Sequence, residues 1–243
     1  MVKFNGVKAG FGKKEILHGI NLAVQKKKIT AIIGQSGCGK TTLLKTVNRI
    51  LEDEGGYIQG EIAVDGLDIM KVSKEELRKR VGIVFQQPIA FPYSIEKNLT
   101  YVLKYHYHLG REELRKRCEE CLREARLYDE VKDQLSMSAA KLSGGQKQRL
   151  AIARSLCVKP ELLLLDEPCS ALDMKNTVAI EEMLLELKGQ YTIVIVTHNL
   201  AQAQRIADDI VFMDQGQVLE ITEKNQFFSE PSSALAREQI RYM

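Results

Sequence analysis

No stretch of this 243-residue chain approaches the ~18 consecutive apolar residues that a membrane-spanning helix needs. Its first residues, Met1-Val2-Lys3-Phe4-Asn5, also lack the apolar core of a signal peptide. Both absences predict a chain that is cytosolic or peripheral to a membrane. An excess of one charge sign is missing too, because a formal net charge of +3 is too small to argue for nucleic acid or an anionic lipid surface. The basic residues from 111 to 126 alternate with Glu112, Glu113, Glu119, Glu120 and Glu124, the pattern of a solvated helix face with i,i+4 pairs. Five scattered cysteines, an odd number, argue against a disulfide framework and fit a reducing compartment. Cys118 and Cys121 form a C-x-x-C, yet no second pair or nearby His completes a zinc set. They share a helical stripe with Leu114, Leu122 and Ala125, which reads as core. Internal repeats and low-complexity linkers are absent as well. What remains is an ordinary globular composition, 28% charged and 44% hydrophobic, in a chain long enough to bury a sizeable core.

The stretch that stands out is Gly34-Gln35-Ser36-Gly37-Cys38-Gly39-Lys40-Thr41-Thr42, which fits G-x-x-x-x-G-K-[S/T]. It lies between the apolar run 29–33 and a helix-like run from Thr42 to Leu51, so it reads as strand, phosphate loop and helix. The glycines let backbone N–H groups turn inward around an anion, and the following helix adds its positive end. Lys40 would supply a point charge to the β- and γ-phosphates, and the Thr41 hydroxyl could ligate Mg²⁺. Cys38 is either an ordinary loop position or a redox-sensitive thiol in an anion-favouring field that could lower its pKa.

Upstream, apolar residues at period two across 2–24 predict short strands with a turn at 9–13, and Phe11 lies near its tip. Phe11 is either a turn aromatic packed on its own sheet or a ring stacked on a flat ligand. Downstream, 52–60 reads as a glycine-containing loop, 60–66 as a strand ending in an Asp-Gly turn, 74–80 as a short helix and 81–85 as a strand. That strand delivers Gln86 and Gln87 to a proline-punctuated segment. From 94 to 159 the pattern is helical, most clearly at 111–127 and 143–158, as an insertion in an α/β frame. Strands return at 161–165, 192–196 and 209–213, separated by helices at 177–188 and 200–207. Fully apolar runs such as Leu162-Leu163-Leu164-Leu165 predict strands covered on both faces, hence a parallel sheet with crossover helices. A hairpin partner at 217–221 and a short helical tail over 222–243 close the chain.

Asp166 and Glu167 follow the 162–165 run at the C-terminal end of a buried strand, where α/β sheets bind ligands. Strand alternation would point the two carboxylates to opposite sides, Asp166 toward a Mg²⁺ shell and Glu167 toward an attacking water. Leu142-Ser143-Gly144-Gly145-Gln146 is a second glycine-rich helix start with Ser143 near the cap. One nucleotide needs a single phosphate cradle, so the second would grip a nucleotide held by another copy.

These motifs, with Ser170-Ala171-Leu172-Asp173 and His198 after the apolar strand 192–196, resemble the nucleotide-binding subunits of ABC transporters. The resemblance covers nearly the whole chain. Within that family, Cys38, Cys169 and Phe91-Pro92 make the chain similar to the ATPases of bacterial phosphate importers, whereas Gln35, Gln87 and Phe11 depart from them. The resemblance implies an α/β P-loop fold of the ABC ATPase type. A central, mostly parallel sheet would be joined by an N-terminal antiparallel β subdomain and an inserted α-helical subdomain. It further implies one ABC ATPase domain over 1–243, with 1–88 and 160–243 forming the nucleotide-binding core and 89–159 the helical subdomain. Two copies would close head to tail on two ATP molecules. Phe11 would stack on adenine, Gly34, Gln35, Ser36, Gly37, Cys38, Gly39, Lys40, Thr41 and Thr42 would hold the phosphates, and Thr41, Gln86 and Asp166 would surround Mg²⁺. Glu167, Gln86 and His198 would be catalytic, and Ser143, Gly144, Gly145, Gln146 and Asp173 would act across the dimer.

The partners implied are two transmembrane permease subunits and, indirectly, an extracytoplasmic solute-binding protein, with the chain on the cytoplasmic face of the membrane and no nucleic acid involved. The segment 88–95, rich in apolar and aromatic side chains, would dock a permease helix or simply pack within its subdomain. Competing readings are an importer ATPase for an amino acid or another oxyanion, an ABC ATPase without a membrane partner, and a P-loop kinase. The long coiled-coil insertion or tandem domain of the non-transport types is absent, and a kinase has no use for 142–146.

Overall fold

The chain opens with a hairpin, β1 (Val2–Phe11) and β2 (Lys14–Val24), and β3 (Ile29–Ile33) then leads through the glycine-rich loop into α1 (Lys40–Val47) and the single turn α2 (Ile50–Asp53). Next come β4 (Gly56–Val64), the two-residue β5 (Leu67–Asp68), α3 (Lys74–Arg80) and β6 (Val81–Val84). Helices fill the middle: α4 (Ile95–His106), α5 (Arg111–Glu124), α6 (Tyr128–Val131) and α7 (Gly144–Leu156), with 3₁₀ turns at Lys132–Gln134 and Ala139–Lys141. Strands and helices then alternate through β7 (Leu162–Asp166), α8 (Met174–Leu187), β8 (Thr192–Val196), α9 (Leu200–Ile206) and β9 (Asp209–Asp214). The chain ends in β10 (Gln217–Glu223), α10 (Lys224–Ser229) and α11 (Ala234–Arg241). This computed structural model describes residues 1–241, so Tyr242 and Met243 of the expected tail lie outside the described residues.

Two sheets form. β2-β1-β4-β5 is antiparallel, and β10-β9-β3-β8-β7-β6 is parallel except for the β9–β10 hairpin. Side-chain alternation along the apolar strands explains how the larger sheet is covered. Ile29, Ala31, Ile33, Leu163, Leu165, Ile193 and Ile195 face one core with the helices from 95 to 156 and α8. Ile32, Leu162, Leu164, Val194 and Val196 face a second core with α1 and the antiparallel sheet. Each fully buried Leu or Ile contributes about 1.5–3 kcal/mol, so a one-residue slip of these strands would gain nothing, but a polar residue on either face would be costly. The parallel strands β3, β6, β7 and β8 end on the same side, and the loops there build the site.

The structure departs from the sequence reading in several places, the first being the turn expected over 9–13, which narrows to Gly12 and Lys13 because residues 9–11 pair as strand. The helix expected over 42–51 breaks at Asn48 and Arg49, where Arg49 takes a left-handed φ of 59°. Its guanidinium is held by Glu52 and by the carbonyls of Ile69 and Val72, contacts 20 and more residues away that local propensity does not register. The loop expected over 52–60 is largely strand: Gly56, Tyr57, Ile58 and Gln59 pair with Phe11, Gly10, Ala9 and Lys8. Glu167 is not a strand residue at all. β7 stops at Asp166, and Glu167 has φ 45°, with its N–H on the Val196 carbonyl. Its separation from Asp166 therefore comes from a left-handed turn and not from strand alternation.

Candidate functional site

The loop after β3 starts at Gly34 (φ +151°), where a Cβ would lie 2.1 Å from the Met213 carbonyl oxygen of β9. It ends at Gly39 (φ +105°), where a Cβ would meet Leu17 at 2.9 Å. Only glycine accepts both the conformation and the close approach, which is how the loop is pressed into the gap between the sheets. Lys40 opens α1 and is 5% exposed. Its ammonium donates to the carbonyls of Gly34 (2.8 Å) and Gln35 (2.7 Å), so the loop itself holds the charge over its own mouth. A cleft of about 440 Å³ runs from Ser36, Gly37, Gly39, Lys40, Thr41 and Thr42 to Glu167. Its far wall is built by Lys14, Glu15, Ile16 and His18 of β2 and by Gln215–Gly216 of the β9–β10 turn, none of which the sequence pattern singled out. No local signal marks them, because the hairpin and the turn are brought to the loop only by the packing of the two sheets.

Phe11 is not among the cleft-lining residues. It ends β1 opposite Lys14 and Gly56 and is 37% exposed. Cys38 is buried, and the loss of water pushes its thiol pKa up despite the Lys40 charge nearby. The lowered-pKa alternative thus fails: the field of the loop acts on groups in the cleft, whereas the Cys38 sulfur points into protein.

At the strand ends, the Thr41 hydroxyl donates to Asp166 Oδ1 at 3.0 Å. Burial raises the Asp166 pKa, with the Thr41 bond working against it and the neighbouring Glu167 charge adding to it. The Glu167 carboxylate receives two side chains: His198 Nδ1 lies 3.0 Å from its Oε2, and Gln86 Nε2 donates to the same oxygen at 3.4 Å. Gln86 also donates to Ser170 Oγ at 3.1 Å, so its Nε2 is shared between Glu167 and Ser170. Thr41, Asp166 and the Gln86 amide offer oxygen donors only, the set a hard cation such as Mg²⁺ takes, and a cation there would also relieve the buried Asp166 charge. Gly34, Gln35 and His198 border an adjoining cavity of about 570 Å³ together with Asn199, Leu200 and Leu235.

The second glycine-rich stretch is built differently. Ser143 caps α7 in a reciprocal box: its Oγ accepts from the Gln146 N–H, and Gln146 Oε1 accepts from the Ser143 N–H. Gln146 and Arg149 both donate to Glu130; burial alone would raise its pKa, but these bonds hold its carboxyl below the usual range. Gly145 passes so close to α8 that a Cβ would lie 2.2 Å from Asn176 Oδ1. Asp173 caps α8, its carboxylate accepting from the Asn176 N–H and side chain, and these donors hold its pKa below the usual range. Asn176 therefore links Gly145 to Asp173, a connection the sequence did not reveal. None of Ser143, Gly144, Gly145, Gln146 or Asp173 lines the cleft over the phosphate loop.

Against known families, residues 17–170 match the model for the ABC transporter family. The chain belongs to that family. Three solved ABC structures resemble it. A bacterial Atm1-family ABC exporter with ATP bound is 29% identical with a TM-score of 0.84; the match covers 99% of this chain but 41% of the exporter chain. The ATP-binding cassette MJ0796, in a dimeric post-hydrolysis state bound to ADP and Pi, is 31% identical with a TM-score of 0.79 over 92% of this chain and 99% of that one. CbiO1 from Clostridium perfringens, part of the ABC transporter complex cbiONQ, is 29% identical with a TM-score of 0.83 over 94% and 90%. The fold is thus that of an ABC ATPase. Among the described residues, no helix of this ABC domain is long and apolar enough to cross a membrane.

Proposed function

We propose that this chain is the ATP-binding and ATP-hydrolysing subunit of an ABC importer that energises uptake of inorganic phosphate through membrane permease partners. The observation that carries the ATPase reading is a cleft lined by Lys40, Thr41 and Glu167, of which Thr41 bonds Asp166 and Glu167 meets His198 and Gln86. The triphosphate would displace the Gly34 and Gln35 carbonyls as partners of the Lys40 ammonium. Thr41, Asp166 and Gln86 would hold Mg²⁺, which when bound offsets the phosphate charge. Glu167 would accept the proton of the attacking water, and His198 would exchange its bond to Glu167 for one to the γ-phosphate. Loss of that phosphate would return His198 to Glu167 and release the contact.

The cleft holds one phosphate cradle, while Ser143 to Gln146 stand apart and already satisfy their own cap. A second copy, head to tail, would bring its Ser143, Gly144 and Gly145 to this ATP, with its Asp173 alongside. ADP and Pi on a dimeric relative support that arrangement. Lys97, Tyr101, Lys104 and Tyr105 of α4 form an exposed face continuous with Tyr93, a docking place for a permease's cytoplasmic helix. That would set the chain on the cytoplasmic face of the membrane, with the extracytoplasmic binding protein selecting the solute. Phosphate as cargo rests on the likeness around Cys38, Phe91-Pro92 and Cys169.

The test is uptake of labelled phosphate at low concentration by source cells lacking the gene and any second copy of the system. Complementation by wild type but not by Glu167→Gln is the expected result. Normal uptake without the chain would move the cargo to another solute and leave the ATPase reading intact.

A further inference from the structure

Asn98 of α4 is fully buried, and its amide is spent on one segment. Oδ1 accepts from the Phe91 N–H at 2.9 Å, and Nδ2 donates to the carbonyls of Ser94 (2.9 Å), Phe91 (3.3 Å) and Tyr93 (3.5 Å). The same Oδ1 accepts from Arg154 Nη1 at 3.3 Å, and the Arg154 guanidinium lies 4.1 Å from the centroid of the Phe91 ring. Arg154 stands in the last turn of α7, whose first turn carries Ser143 as cap. On the opposite side, the same segment is tied to the run entering that cap: Ala139 N–H donates to Tyr93 O, and Ile95 and Glu96 donate to the carbonyls of Met137 and Leu135. The stretch that leaves Gln86 is therefore gripped between the approach to Ser143 and the far end of the Ser143 helix.

We propose that Asn98 and Arg154 are positioning residues that fasten the Gln86 segment to α7, so that the place of Gln86 at one nucleotide sets the place of Ser143 at the nucleotide of a second copy. This rests on the two-copy reading above. The physical ground is stiffness. A buried amide that bonds four backbone groups leaves the 91–94 segment no independent movement. An α-helix transmits a shift over the ~16 Å between residues 154 and 143 as a rod. A planar guanidinium that is hydrogen-bonded at its edge and stacked on a ring by its face holds both partners at a fixed angle, which a lysine ammonium cannot do.

The experiment uses the full chain in a Glu167→Gln background, with Mg-ATP as the probe. Three quantities are read: ATP binding by the monomer at low protein concentration, Tm, and the ATP concentration that half-dimerises the protein. Arg154→Met is expected to bind ATP within about 2-fold of the parent and to keep Tm within a few degrees, while half-dimerisation moves up by about 10-fold. Arg154→Lys should fall between. Adding Phe91→Leu to Arg154→Met should cost little more, because both remove one contact. Half-dimerisation unchanged in Arg154→Met, or weakened only in step with monomer binding or Tm, overturns the proposal. Should Arg154→Met fail to fold, Phe91→Leu alone, which leaves the Asn98 bonds, is expected to shift half-dimerisation in the same direction, and no shift overturns the proposal. A parent that stays monomeric at saturating ATP refutes the two-copy reading itself, and this is a separate result from a parent that dimerises together with an equally competent Arg154→Met.

Discussion

The two glycine-rich helix starts of this molecule, at Gly34 to Lys40 and at Ser143 to Gln146, look alike in sequence and differ in almost every physical respect. The first is squeezed between two sheets, with left-handed glycines, a lysine 5% exposed and a buried carboxylate at its side. The second lies on the surface, and the side chain of Ser143 already meets the amide that an anion would otherwise take. The first holds its cation on its own Gly34 and Gln35 carbonyls at the edge of a cleft, where an anion could take their place. In the second, a neutral capping box occupies the N–H groups of Ser143 and Gln146, and these residues do not line that cleft. The comparison teaches that a glycine-rich helix start gains an anion site from what packs around it, a cation and a cleft, and not from the motif alone.

The sharpest way to break that comparison is Glu167→Gln. It should lower the ATP turnover rate by roughly 10²–10⁴-fold while leaving Mg-ATP binding in place, and it should accumulate a dimer visible by light scattering. Turnover near that of wild type would take Glu167 out of the chemistry. Ser143→Arg should separate the two helix starts: monomer binding of ATP, measured by fluorescence, stays within a few-fold, while hydrolysis is lost because the larger cation blocks the approach of the second copy. Loss of binding in the monomer would mean that both starts serve the same nucleotide.

The smallest expected effect concerns the charge buried beside the first start. Burial holds the folded-state pKa of Asp166 above its unfolded value, so the ionised carboxylate costs stability above the folded pKa. That cost fades as pH falls through the raised range and is gone below the unfolded value. Asp166→Asn should therefore raise the nucleotide-free Tm by a few degrees at neutral pH, and the gain should shrink toward zero in acid, as followed by differential scanning calorimetry. A Tm gain independent of pH would point to packing in place of charge.

Much of the fold was legible because its signals are local and strong. The helix at 74–80 has a Ser73 cap and acids in its first turn, and the strand at 192–196 is an unbroken apolar run. The phosphate loop, Asp166, Glu167 and His198 were legible as residue types at strand ends. Less legible were positions decided by partners far along the chain. Arg49 breaks a helix because its fork is held by Glu52 and two distant carbonyls, and 56–59 is strand because β1 supplies its hydrogen bonds. For Cys38 the lowered-pKa alternative fails and the ordinary loop position stands, because burial outweighs the field of Lys40. The wall of Lys14, Glu15, Ile16 and His18 went unseen because no local pattern marks a hairpin that reaches the phosphate loop only through the packing of two sheets.

By itself the sequence determined which elements exist and where charges and glycines stand along them, because helix caps, apolar periodicity and left-handed turns are decided by residues within a few positions of each other. Tertiary structure alone decided that Gln86 and His198 meet at Glu167, that Lys14, Glu15, Ile16 and His18 wall the phosphate loop, and that Asn98 joins the Gln86 segment to the Ser143 helix. The longest of those contacts link residues 56 to 81 positions apart, and what closes such distances is the burial of two apolar faces of one sheet.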